Sequence, residues 1–84
     1  MGCVIKMDGG TEVVELVQGV NGQLDQLQGI VGGFIEHVRL HNGDHMWVNE
    51  DGLRLGLELN PLASDIAKQP VVGNVIVTRP GEVQ

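Results

Sequence analysis

The sequence predicts an α+β domain: a mainly antiparallel sheet of about five strands with two short helices packed on it. Three observations carry this. Short apolar runs recur between turn-forming clusters such as "DGG" (8–10) and "NGD" (42–44). Two stretches, 21–31 and 60–70, carry helix-boundary signals instead. And the apolar residues are nearly all Val, Leu and Ile, with one Phe, one Trp and no Tyr in 84 residues, which suits a small sheet core. The length fits one domain, 1–84.

In chain order, residues 2–7 read as a first strand, 8–10 as a hairpin turn and 11–17 as a second strand. Asn21 is a candidate cap for a helix running to Val31, with Leu24, Leu27 and Val31 at helical spacing. Gly32 and Gly33 stop it. Residues 34–41 form a third strand. Asn42-Gly43 supplies two positive-φ positions for a tight turn, and 45–49 form a fourth strand. "LRLGLEL" (53–59) alternates Leu with Arg54, Gly56 and Glu58, as a half-buried strand or extended segment does. Asn60 as cap and Pro61 at the first helical position open a second helix, which Pro70 ends. Residues 71–78 are nearly continuous apolar sequence and read as a central strand.

Acidic residues outnumber basic ones eleven to five, for a net charge of −6. The basics do not cluster, so no phosphate-tracking surface for duplex nucleic acid is expected. A single cysteine, Cys3, excludes an internal disulfide and suits a reducing cytoplasm. No apolar run approaches the length of a membrane span, and no signal peptide is visible. The opening Met-Gly lacks the Ser or Thr that myristoylation wants, because Lys6 stands there. Met1 reads as a natural start, so a complete small protein is expected. Thirteen glycines in so short a chain oppose folding entropically, which favours homo-oligomerisation as extra burial.

The chemistry-bearing residues are few. His37, His41 and His45 recur every fourth residue, but the interposed Asn-Gly turn puts them on a hairpin, with His37 and His41 on one strand face. A cross-strand zinc site is conceivable there; exposed sheet histidines are the simpler reading, and no metal or cofactor is expected. Glu36 falls among Phe34, Val38 and Leu40. That makes it a rim residue, or a buried acid with a partner such as Arg54. Trp47 is either core or an exposed stacking residue, with Arg39 as a neighbour; Trp and Arg together suit a base and a phosphate. In "VNEDG" (48–52), Glu50 and Asp51 fit the central positions of a type I turn. Gly52 fits a positive-φ bulge, and Asn49 bonds the backbone two residues on. Only Glu50 keeps a claim to function, if the turn brings it near Glu36 or Arg54. Asn60 is expected to cap its own helix rather than leave the terminus to an anion. Ser64 has no positioned base, and no phosphate loop, nucleophile elbow or metalloprotease motif is present. An enzyme is the less favoured class; its best version is a metal-assisted hydrolase on Glu36, His37 and Glu50.

The stretches "LQGIVGGFIEHVRL", "WVNEDGLRLGLELNPLAS" and "VVGNVIVT" resemble an uncharacterised family of small proteins carried by bacteriophages, plasmids and some bacteria, filed as a domain of unknown function. The shared words are Gly-Gly-aromatic-Ile-Glu, Asn-Glu-Asp/Glu-Gly, Asn-Pro-Leu-Ala-Ser and a late Val-Gly-Asn/Asp-Val strand. Phe34 stands where Tyr is common, so the hydroxyl is lost here. The resemblance implies a mobile-element setting and action in the cytoplasm of a bacterial host cell. The expectation is a non-catalytic accessory module with a counter-defence or host-takeover role. It sequesters a nucleotide-like small molecule through Trp47, Arg39, Arg54, Glu36 and Glu50, or it inhibits or adapts a host protein. The turn and cap residues Gly32, Gly33, Asn49, Gly52, Asn60 and Pro61 then serve geometry.

Overall fold

A computed structural model describes residues 1–83. The strands are β1 (Gly2–Ile5), β2 (Thr11–Val14), β3 (Ile35–Arg39), β4 (His45–Asn49) and β5 (Val75–Thr78). The helices are α1 (Val20–Val31) and α2 (Pro61–Ala67). The five strands form one antiparallel sheet in the order β2-β1-β5-β4-β3. This is the α+β class the sequence predicts.

Strand alternation separates two cores. On one face Val4, Ile76, Trp47 and Ile35 pack beneath Leu27 of α1. On the other Ile5, Val75, Met46 and Val38 pack beneath Ala63 and Ala67 of α2. The two helices therefore cover opposite faces. α2 contributes Ala63, Ala67 and the partly buried Ile66 to its core.

The two hairpins close with the same turn. Gly9 N–H donates to Lys6 C=O and Lys6 N–H to Gly10 C=O; Gly43 and Leu40 repeat the pattern with Leu40 and Asp44. Asp8 and Asn42 each accept, through a side-chain oxygen, from the amide two residues on. Only the glycine has positive φ in each turn, 93° at both Gly9 and Gly43. The Asn42-Gly43 turn is thus not the two-residue type expected; a three-residue loop with a glycine bulge relieves Asn42 of a left-handed conformation.

Other expectations fail locally. Asn21 lies inside α1, whose N-cap is Gly19 with no side-chain cap bond. Leu24 is exposed while Gln23 is buried, donating to the Val17 and Glu82 carbonyls. The second strand stops at Val14 because Gln26 of α1 takes over the backbone partners beyond it. Its amide donates to Glu15 C=O, and its oxygen accepts from Val17 N–H. Residues 53–59 are no strand. Leu55 N–H donates to Asp51 C=O and Gly56 N–H to Leu53 C=O, winding the segment into turns until Leu59 bridges Val72. Consequently Leu53 is 84% exposed, Leu55 52% and Leu59 56%. α2 ends at Ala67, before Pro70, with Lys68 in the left-handed region at φ 59°. Gly73, also at positive φ, breaks the apolar run 71–78, so β5 begins at Val75.

Candidate functional site

The residues singled out in the sequence do not converge on one place; the sheet divides them between its faces. On the α2 face, Glu36 stands opposite Val48 across the β3–β4 ladder, and Glu50 N–H donates to Phe34 C=O at 2.8 Å. Glu36 and Glu50 thereby become diagonal neighbours on the rim of one groove of about 150 Å³. Its floor is apolar, made by Val38, Val48, Val71 and Val72, with Leu53 on the side. Glu36 is exposed, so the buried-acid reading is overturned. Phe34, expected beside it, precedes the strand and is 66% exposed.

Asn49 positions this rim. It is buried; its amide donates to Val31 C=O at 3.0 Å, and its oxygen accepts from Asp51 N–H at 2.8 Å. One side chain thus ties the end of α1 to the turn that carries Glu50. Gly52 closes that turn, donating to Asn49 C=O. It is not among the positive-φ residues, contrary to expectation. What it needs is space, since a Cβ there would lie 2.7 Å from Val72 Cγ2. Asn49→Ala should destabilise the protein by about 1–3 kcal/mol, because one buried and one partly buried backbone group lose their partner. Thermal unfolding by circular dichroism checks this.

On the α1 face, His37, Arg39, His45 and Trp47 share the outer two strands, with His37 opposite Trp47 and Arg39 opposite His45. Trp47 is half-buried: it packs on the α1 core, and its indole N–H donates to Thr78 Oγ1 at 3.0 Å. Its ring lies 4.8 Å from that of His37, tilted by 34°. The imidazole therefore occupies stacking surface that a nucleobase would need. His37 Nε2 meets His45 Nδ1. Burial of its ring, then the charges of His45 and Arg39, hold His37 below the usual imidazole range.

Arg54 joins neither group; it pairs with Asp51 at 3.2 Å, one helical turn away. Neither the Glu36–Arg54 pair nor a Trp47–Arg54 site forms. His37 points away from Glu36 and Glu50, on the other side of the sheet, so the hydrolase constellation does not assemble. His41 lies in the turn and shares no strand face with His37. Among the described residues, no group of three or more His, Cys, Asp or Glu is placed to hold a metal. Asn60 caps α2 by accepting from Ala63 N–H. The Ser64 hydroxyl donates to Val71 C=O and accepts from Val71 N–H, so it is a structural clasp.

Val71, Val72 and Leu53 were missed as site residues. The Leu59–Val72 bridge delivers the two valines, and it has no local signature. The exposed leucines offered a signal, a strict alternation, but it pointed to a strand.

A small two-helix, single-sheet α+β protein with an acidic-rimmed groove on one face is the class these features define. The chain belongs to the family described as a domain of unknown function, DUF3846, whose model matches residues 1–83. No curated protein and no solved structure matches the chain. No helix among the described residues is long and apolar enough to cross a membrane.

Proposed function

We propose that this is a non-catalytic accessory binding module whose partner is a protein, engaged through the groove between Glu36 and Glu50. In the mobile-element setting that the sequence resemblance implies, the partner is a host protein in the bacterial cytoplasm. The observation that carries the reading is the groove itself: two carboxylates above a valine floor. Such a surface receives a Lys or Arg side chain, whose aliphatic stem lies on the valines while its charge meets the carboxylates. The net charge of −6 favours encounter with a basic partner surface. The exposed leucines at 53, 55 and 59 add apolar contact of the kind protein interfaces use.

Size weighs against sequestration of a nucleotide by one chain. Three cavities among the described residues measure about 150, 250 and 160 Å³. Pockets for ligands of that class run to roughly 300–1,000 Å³. Nucleotide binding would require a pocket shared between copies. Native mass spectrometry of protein purified from its host reports the oligomeric state and any retained ligand together.

The decisive test is affinity capture from host lysate with the natural protein and a Glu36→Lys/Glu50→Lys variant. A stoichiometric protein partner is expected, and the variant should bind it about 30-fold or more weakly, or about 2 kcal/mol. Equal capture by the two proteins would remove the groove from the interaction.

A further inference from the structure

On the face opposite the groove, the geometry points to a binding site for a late first-row divalent metal ion, such as Ni²⁺ or Zn²⁺, formed by His37 Nε2 and His45 Nδ1 with water completing the shell. The two histidines lie on neighbouring strands, two residues apart in register, since His37 pairs with Trp47 and His45 with Arg39. Their ring nitrogens face each other directly. Two neutral imidazoles whose nitrogens meet hold one N–H between them; when that hydrogen moves to the far nitrogen of its own ring, both facing lone pairs are free for a divalent ion.

The ring spacing fits. A metal–nitrogen bond of about 2.0–2.1 Å puts two adjacent imidazole centres roughly 4.5–5.2 Å apart around one ion. The His37 and His45 rings are 4.6 Å apart; their facing nitrogens, 2.5 Å apart, separate by about 0.4–0.9 Å through small side-chain rotations to admit the ion. Imidazole pairs suit nickel, copper and zinc rather than magnesium or calcium. The rings are also held in place. His37 rests on Trp47, and a hydrogen bond to Thr78 fixes that indole. Arg39, on the same face opposite His45, is the one charged neighbour on these two strands. It is exposed, so salt screens its repulsion of the ion. The bound ion would clamp β3, an edge strand, to β4.

Trp47 is the only tryptophan in the chain, which makes it a local reporter. The metal-stripped full-length protein is titrated with Ni²⁺, a quencher that spares the Cys3 thiol from the oxidation Cu²⁺ would cause. Saturable quenching at one ion per chain is expected, reversed by Zn²⁺ competition. His37→Gln and His45→Gln, each checked for native circular dichroism, should weaken binding by at least about tenfold. His41→Gln should leave it unchanged. Absence of saturable quenching, or quenching that survives both the His37 and the His45 replacement, would overturn the assignment.

Discussion

Asn60→Ala is expected to remove a large part of the stability of the protein, about half. Asn60 is fully buried, and its side chain makes three bonds to three separate segments. Its amide donates to Ile5 C=O at 3.0 Å on β1 and to Gly73 C=O at 2.8 Å before β5. Its oxygen accepts from Ala63 N–H at 3.1 Å in α2. Truncation takes a partner from three backbone groups, at about 1–3 kcal/mol for each that is left unpaired where water cannot reach it. A total loss of about 3–6 kcal/mol compares with a stability of about 4–13 kcal/mol for a domain of this size. Asn60→Ser restores only the cap bond, so it should recover about 1 kcal/mol and no more. Urea unfolding of the three proteins measures this directly; a full rescue by Ser would show that the cap matters and the clasp between strands does not.

Ile76→Ala should cost about 3–4 kcal/mol, in the upper range for a buried aliphatic side chain. Ile76 lies on the central strand between Val4 and Trp47 and is fully buried beneath α1. Its Cδ1 occupies the space in front of Gly2, where a Cβ would meet it at 2.6 Å. The two positions are therefore coupled. Gly2→Ala alone should be destabilising, whereas in the Ile76→Ala background the new methyl enters the vacated space and should cost little or stabilise. A double-mutant cycle from denaturant midpoints should give an interaction energy of about 1 kcal/mol or more; additivity would mean that the two residues do not touch.

The sheet and both helices were legible because their signals are local. Asn60 and Pro61 mark a helix start, Gly32 marks a stop, and Asp-Gly and Asn-Gly mark turns. Where the reading failed, the deciding partner was distant in sequence. Gln26 reaches from α1 to take the backbone groups of Glu15 and Val17, and no strand propensity reveals that. The alternation of Leu53, Leu55, Leu57 and Leu59 has the period of a strand. Yet the only strand-like partner this segment finds among the described residues is Val72, so it coils into turns up to Gly56. The site was half legible. The parity of β3 and β4 places Glu36 apart from His37 and beside Val38, as alternation requires. Glu50 became its neighbour only through the turn that Asn49 holds.

The strand order carries a consequence for synthesis. β5 separates the two hairpins in the sheet, yet it follows both of them and both helices in the chain. Until residues 75–78 leave the ribosome, the nascent chain holds two hairpins with no shared edge. Each exposes the apolar side that will later meet Ile76 or Val75. The cooperative fold therefore cannot form before residues 75–78 are made. It assembles once the middle strand arrives, and a ribosome stalled earlier would present an adhesive, chaperone-dependent intermediate.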